Sequence, residues 1–117
     1  MKTYIAVFTG TPARKTEWDA LDADTRTQRE HEGMQAWGQW MIDHHAAIVD
    51  SGGPLGKTKR AGPDGISDTS NNIAGFVKVR ADSHDAAVRL FENHPHFSIF
   101  PGDAVEVMEV LPTPTQG

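Results

Sequence analysis

The sequence contains six histidines, whose imidazoles can exchange protons near neutral pH. Among them, His45 is the strongest candidate for acid/base chemistry. His45 falls near the middle of the apolar stripe of a long predicted helix. An imidazole on a core-facing stripe can act as a general base, because a free imidazole has a pKa near neutrality. The alternative is a buried histidine that one hydrogen bond satisfies, as is usual for buried polar groups.

Two tryptophans lie on the same predicted helix. Trp37 and Trp40, with His44 along one flank, could line a pocket for a small planar ligand. The alternative is that both tryptophans belong to the core or to a dimer interface and that His44 is a surface residue, because large aromatic side chains dominate ordinary packing.

The segment His94-Pro95-His96 follows the second predicted helix, which starts with His84 and Asp85. Their spacing matches no recognised metal-ligand pattern, and histidine is also favourable near a helix C-terminus. We therefore predict no metal site and no cofactor. We keep His94 as a second candidate for acid/base chemistry.

Five basic residues are predicted to cluster on the second and third strands. They could hold a carboxylate or phosphate, with Lys57 as the ligand-binding candidate, or they could form a solvated edge that pairs with Glu106 or Glu109. The sequence contains no glycine-rich phosphate loop and no nucleophile elbow. The five residues are Lys57, Lys59, Arg60, Lys78 and Arg80.

Composition limits the class of protein. The 117 residues carry a formal net charge of -5, which argues against a general nucleic-acid binder. The absence of cysteine excludes disulfides and thiolate chemistry, and it favours a cytoplasmic location. No apolar run approaches the roughly 20 residues of a membrane span, so we expect no membrane partner.

The elements that must position these residues follow the order βαββαβ, with one short extra helix near residues 17–21. Thr25 and Gln28 match a capping box, and the long helix is predicted to continue to about Asp50. Its apolar stripe would contain Met34, Trp37, Met41, Ile48 and Val49. Ser83 is predicted to cap the second main helix. Strands are predicted at residues 3–8, 54–60, 73–80 and 105–111, with a polar loop at 61–72.

This order predicts a single α+β domain over residues 1–112, with a ferredoxin-like antiparallel sheet and a loose tail at 113–117. Two helices cover only one face of such a sheet, yet three of the strands carry apolar residues on both faces. We therefore expect a homodimer in which a second copy covers the open face.

Several short motifs resemble the YCII-related family and its DGPF-domain relatives. The resemblance implies a dimeric α/β-barrel and a bacterial cytoplasmic protein, in a family mostly without assigned activity. It also implies a site pair of a helix histidine and an aspartate before a proline. Here His94 precedes the proline, and the helix position falls near Ala36 or Trp37. Asp68 lies roughly where the DGPF-type aspartate would be. The matching runs are Gly33-Met34-Gln35-Ala36-Trp37, Gly52-Gly53-Pro54-Leu55-Gly56, Ile73-Ala74-Gly75-Phe76, Asp85-Ala86-Ala87 to His94-Pro95, and Val105-Glu106-Val107.

Two functions remain open at this point. The first is binding or transformation of a small molecule in a pocket between the long helix and the sheet, with histidine acid/base chemistry. The second is a non-catalytic dimerisation or regulatory module in which the histidines are structural. A cavity beside the helix would favour the first function, and a filled core would favour the second.

Overall fold

The computed structural model describes residues 1–114, and residues 115–117, the end of the predicted tail, lie outside the described part. The elements follow in the order β1 (Lys2–Thr9), α1 (Pro12–Asp19), α2 (Ala23–Asp43), β2 (Ile48–Pro54), β3 (Thr58–Gly62), β4 (Gly65–Thr69), β5 (Ile73–Ala81), α3 (His84–Arg89), α4 (Pro95–Ser98) and β6 (Ala104–Glu109).

Four antiparallel strands form the main sheet in the order β2-β5-β1-β6. When only the strands of this sheet are counted in chain order, the arrangement is 2-3-1-4, which is the strand order of a ferredoxin-like sheet. The predicted α+β ferredoxin-like class is therefore confirmed.

The core forms between one face of this sheet and the helices. Tyr4 lies opposite Val79, and Ala6 lies opposite Val77, so these four side chains point to the same face. All four are buried, together with Trp40 and Phe91 from the helical layer. The alternation of residues along β1 and β5 is what places them there.

The N-cap of helix α2 lies three residues before the predicted capping box. Asp22 is the N-cap: its Oδ1 accepts from the Thr25 backbone N–H at 2.8 Å, and its Oδ2 accepts from the Thr25 hydroxyl at 2.8 Å. These hydrogen bonds lower the pKa of Asp22. A carboxylate at this position satisfies the free backbone donors and complements the helix dipole, so Asp22 takes the role predicted for Thr25.

The predicted C-terminal boundary of α2 is wrong. The helix ends at Asp43, and Ile48 opens β2, where it pairs with Val79 of β5. Ile48 and Val49 are β-branched and suit a strand at least as well as a helix. The ladder hydrogen bonds to β5 decide between the two, and His44 and His45 are left in the turn after the helix.

The predicted strand at 54–60 and the loop at 61–72 are replaced by a β-hairpin. Strands β3 and β4 pair only with each other and form a second, two-stranded sheet around Pro63 and Asp64. Gly65 has a φ of 107°, a backbone conformation that glycine adopts without strain. The long polar segment is therefore an ordered arm that leaves the main sheet at Pro54 and returns at Ile73.

The other predicted strands, the second main helix and the short first helix are present with small shifts of their bounds. Ser83 caps α3, and its hydroxyl accepts from the Ala86 backbone N–H at 3.1 Å. The helix ends before Pro95 as expected, and a short α4 then starts at that proline. The predicted short helix near residues 17–21 is α1, which begins earlier because Thr11 caps it and Pro12 fits its first turn.

The second face of the main sheet carries mixed side chains and is not covered by any helix of the described chain. Val7 lies opposite Phe76 and Glu106, and Ile5 lies opposite Lys78 and Met108. Apolar and charged residues therefore alternate on this face. Within residues 1–114, no helix is long and apolar enough to cross a membrane.

Candidate functional site

A cavity of about 490 Å³ lies between α2 and the β2–β5 side of the sheet. Its wall is almost wholly apolar: α2 contributes aromatic and thioether side chains, and the sheet contributes both large apolar residues and small ones that leave room. The polar exceptions are Ser51 and His96. The apolar or small lining residues are Phe8, Met34, Trp37, Gly38, Trp40, Met41, Gly53, Pro54, Ala74, Gly75, Phe76, Val77 and Phe100.

The two tryptophans stand one turn apart on α2 and form the helical wall. Trp40 is buried, and its indole N–H donates to the Leu90 carbonyl at 2.8 Å. Trp37 is half-buried, and its ring centre lies 5.0 Å from that of Phe8. The fixed indole of Trp40 and the packed indole of Trp37 give the cavity a rigid aromatic wall.

His94 supports this wall from behind. It is fully buried, and its ring lies edge-on to Trp37 at 4.5 Å and to Trp40 at 4.8 Å between ring centres. Its Nδ1 accepts from the His96 backbone N–H at 3.0 Å, so the ring hydrogen belongs on Nε2. That Nε2 has no hydrogen-bond partner within the described residues.

Burial controls the charge of His94. Burial, together with smaller effects of the nearby His96 and His44, lowers the pKa of His94 to about 4. His94 is therefore a neutral imidazole at pH 7. A neutral ring can pack among aromatic side chains, whereas a cationic one would lose its hydration there.

His96 is the histidine in the cavity wall. Its Nε2 donates to the Thr9 carbonyl at 2.7 Å, which fixes the tautomer and leaves Nδ1 as an acceptor. Burial lowers the pKa of His96, and the Thr9 carbonyl and Asp103 oppose this shift. Gly102 lets the following loop close over the ring, because a Cβ there would lie 2.3 Å from the His96 Nε2. His96 is thus a positioned, neutral hydrogen-bond acceptor.

The structure brings together three of the residues that the sequence predicted for the site: Trp37 and Trp40 line the cavity, and His94 lies directly behind them. His44 is the C-cap of α2 and contacts Trp40 at 5.0 Å between ring centres, without lining the cavity.

The expectation that His45 lies on the core-facing stripe is wrong. Because α2 ends at Asp43, His45 lies in the following turn, where it is exposed and its Nδ1 is 3.1 Å from the Ile42 carbonyl. Lys57 and Asp68 lie in the exposed arm around β3 and β4, away from the cavity.

The basic residues do not form the predicted cluster. Lys78 and Arg80 lie on β5 of the main sheet, and the others lie on or beside the separate hairpin. Lys59 pairs with Asp68 at 2.8 Å, and Glu109 pairs with Lys2 at 3.3 Å. Among residues 1–114, no group of three histidine or carboxylate side chains is arranged to hold a metal ion.

Two residues of the cavity wall were not predicted for the site from the sequence. His96 was considered only as a metal ligand, and Phe100 was not considered. For His96, the sequence offered only its place in the run His94-Pro95-His96. The signal for Phe100 was weaker, because its contact with α2 depends on Gly33: a Cβ at Gly33 would lie 2.5 Å from the Phe100 ring.

The fold and the cavity together define a ferredoxin-like α+β domain with an aromatic-walled cavity under its long helix. No protein-family model matches the chain, and no curated protein matches its sequence. Among solved structures, the chain is similar to 5-chloro-2-hydroxyhydroquinone dehydrochlorinase (TftG) from Burkholderia phenoliruptrix AC1100, in its complex with 2,5-dihydroxybenzoquinone. The TM-score is 0.50 with 19% identity over 91% of this chain and 90% of the other. This likeness is one of fold, and membership of the YCII-related family stays a prediction.

The pKa of His94 predicts how stability depends on pH. In the unfolded chain the His94 imidazole binds a proton below about pH 6.5, whereas in the folded chain it binds one only near pH 4. Protonation between these pH values therefore favours the unfolded chain. The stability present above pH 6.5 is lost as the pH falls toward 4. His94 accounts for about 2 kcal/mol of this loss between pH 7 and 4.5. In His94→Asn, the amide oxygen can still accept from the His96 N–H, but the titrating group is gone.

Urea unfolding at the two pH values measures this difference. We expect the change in unfolding free energy from pH 7 to 4.5 to be smaller in His94→Asn than in the wild type by about 2 kcal/mol. An identical pH dependence in both proteins would show that His94 is not a buried neutral imidazole.

Proposed function

We propose that this protein binds a small, largely apolar ring compound in the cavity between α2 and the sheet, and that His96 interacts with a hydroxyl group of that compound. The observation that carries the proposal is the cavity itself. Its volume of about 490 Å³ falls within the range of small-molecule sites, and its wall is apolar except for Ser51 and His96.

The aromatic wall favours a planar ligand over a flexible one. Trp37, Trp40 and Phe100 present ring surfaces, and stacked or edge-on contacts between aromatic rings add to simple burial of area. A charged ring substituent would lose its hydration inside this wall without a charged partner in it. The part of the ligand in the cavity is therefore a neutral ring.

His96 supplies the acid/base function that the sequence assigned to His45 and His94. With its Nε2–H committed to the Thr9 carbonyl, Nδ1 can accept a hydrogen bond from a ring hydroxyl and, in a reaction, its proton. The imidazolium formed would keep the Thr9 hydrogen bond and lie near Asp103, both of which favour the charged form. His94 positions the tryptophans and makes no contact with the ligand.

The neighbour of similar fold gives a chemically related example. Its complex contains 2,5-dihydroxybenzoquinone, which is a planar ring with hydroxyl groups. Its hydroxyl groups are vinylogous carboxylic acids that ionise at neutral pH, so the neutral phenol 2-naphthol is the better probe for the present cavity. If ligands bind without any turnover, the alternative function of a non-catalytic, ligand-responsive module is favoured.

Occupancy of the cavity is tested at Gly38, which lines it and where an added Cβ would have no atom within 4 Å. Gly38→Leu places a side chain in the ligand's volume and should weaken binding of 2-naphthol at least about tenfold without unfolding the protein. Gly38→Ala is the matched control. It should bind normally and be more stable by up to about 1 kcal/mol. Quenching of tryptophan fluorescence measures binding. Equal binding by both variants would place the ligand elsewhere.

The role of His96 is tested by comparing a hydroxyl compound with its methyl ether. We expect wild-type protein to prefer 2-naphthol over 2-methoxynaphthalene by about tenfold, the value of one hydrogen bond in a dry site. His96→Leu has no side-chain acceptor and should lose most of this preference, whereas His96→Gln keeps a donor for the Thr9 carbonyl and an amide oxygen and should retain part of it. If the preference is unchanged in His96→Leu, another group accepts the hydroxyl hydrogen.

We further propose that two copies of the chain pair through the uncovered face of the main sheet. Ile5, Val7, Phe76 and Met108 form the apolar part of this face, and Met108 is 45% exposed in one chain. Lys78 and Glu106 lie on the same face and can pair across a two-fold axis. Pairing of two copies would remove this apolar surface from contact with water.

The pairing predicts that Met108→Glu is a monomer at concentrations where the wild type is a dimer, because the new charge would be buried without a partner. Val88→Glu is the control. Val88 has a similar exposed fraction, 44%, but lies on α3 in the helical layer. Light scattering coupled to size-exclusion chromatography gives the mass. A monomeric wild type at micromolar concentration would contradict the proposed dimer.

A further inference from the structure

A second pocket of about 200 Å³ lies beside the cavity, toward the N-terminal end of α2. It is bounded by α1, by the first turns of α2 and by residues 99–101. Its character differs from that of the cavity, because it contains the charged side chains of Arg14, Glu17 and Arg29.

Phe100 is the partition between the two spaces, since its side chain lines both. The ring lies against α2 at Gly33, where a Cβ would approach it to 2.5 Å. The absence of a side chain at Gly33 is what allows Phe100 to lie there. A single half-buried aromatic side chain, packed against Gly33, therefore separates the cavity from the charged pocket.

The charged pocket and the aromatic wall are aligned along one helix. Arg29, Gly33 and Trp37 follow one another at intervals of four residues, so they lie on the same side of α2. At 1.5 Å per residue, Arg29 and Trp37 are about 12 Å apart along the axis. A ligand of moderate length can therefore reach from the tryptophans to the arginine.

The two arginines differ in how they are engaged. Arg14 pairs with Glu17 at 3.0 Å and donates to the carbonyls of Gly102 and Phe97, both at 3.2 Å. It neutralises the one carboxylate of the pocket. Arg29 makes no side-chain hydrogen bond or ion pair within residues 1–114. Its guanidinium therefore remains available to an anion, and carboxylates suit its forked geometry.

We infer that the ligand of the apolar cavity is an aromatic carboxylate, whose ring lies against Trp37 and whose carboxylate passes Phe100 to pair with Arg29. This inference rests on the proposed function, because it assigns a second part to the same ligand. Such a ligand fits both spaces, because its neutral ring lies in the apolar cavity and its carboxylate lies in the pocket that contains Arg29. The ligand class is a planar ring joined to a carboxylate by a short flexible chain.

The test compares 4-(2-naphthyl)butanoate with its uncharged amide by isothermal titration calorimetry. Because Arg29 is exposed, wild-type protein should bind the acid about threefold to fivefold more tightly than the amide, as expected for a solvent-screened ion pair. Arg29→Gln should reduce this ratio to near one while leaving the affinity for the amide unchanged. Arg60→Gln, which removes the same charge from the exposed hairpin, should retain the wild-type ratio.

The possible results distinguish failure of the carboxylate assignment from failure of the proposed function. If 2-naphthol and the amide bind but the acid has no advantage, the ring site stands and the carboxylate assignment is overturned. The same holds if the advantage persists in Arg29→Gln. If no naphthalene compound binds, the proposed function fails and this inference fails with it.

Discussion

The packing of His94 between α2 and the sheet is the contact on which the rest of the structure depends. Its ring packs against both tryptophans of α2 and against Phe8 of β1, and its neighbour His96 is hydrogen-bonded to the backbone of the same strand at Thr9. This segment sets the spacing of the helix above the sheet. On the β2 side of it, no comparable side chain fills the gap, and the cavity remains there.

The same burial determines the chemistry available in the cavity. It keeps both imidazoles of the His94-Pro95-His96 segment neutral, so they provide hydrogen-bonding capacity without a buried charge. Positive charge is placed instead outside the Phe100 partition, at Arg29. An apolar compartment next to a cationic one is a combination suited to an amphipathic ligand, because each part of such a ligand meets a matching environment.

The sequence predicted those parts that depend on local patterns. Alternation along β1 and β5, and the capping serine at Ser83, predicted elements that the structure confirms. The end of α2 could not be predicted in this way, because Ile48 fits both the helical stripe and a strand. Its state is decided by pairing with Val79, which is distant in sequence. The misplacement of His45 followed from that one boundary.

The site was predictable to a similar degree and for the same reason. Trp37 and Trp40 share a helix, so their spacing alone placed them on a common wall. The roles of His96 and Phe100 depend on contacts with Thr9 and Gly33, both far away in the chain, and on the space that Gly102 leaves for the imidazole. No local pattern contains that information.

A titration of ¹⁵N-labelled protein with 2-naphthol, followed through the three tryptophan indole N–H resonances, tests the central claim most directly. Trp37 and Trp40 line the cavity, whereas Trp18 lines only the charged pocket beside it. The account predicts saturable shifts at Trp37 and Trp40 with a much smaller change at Trp18. Shifts confined to Trp18, or no saturable shift at any indole, would contradict it.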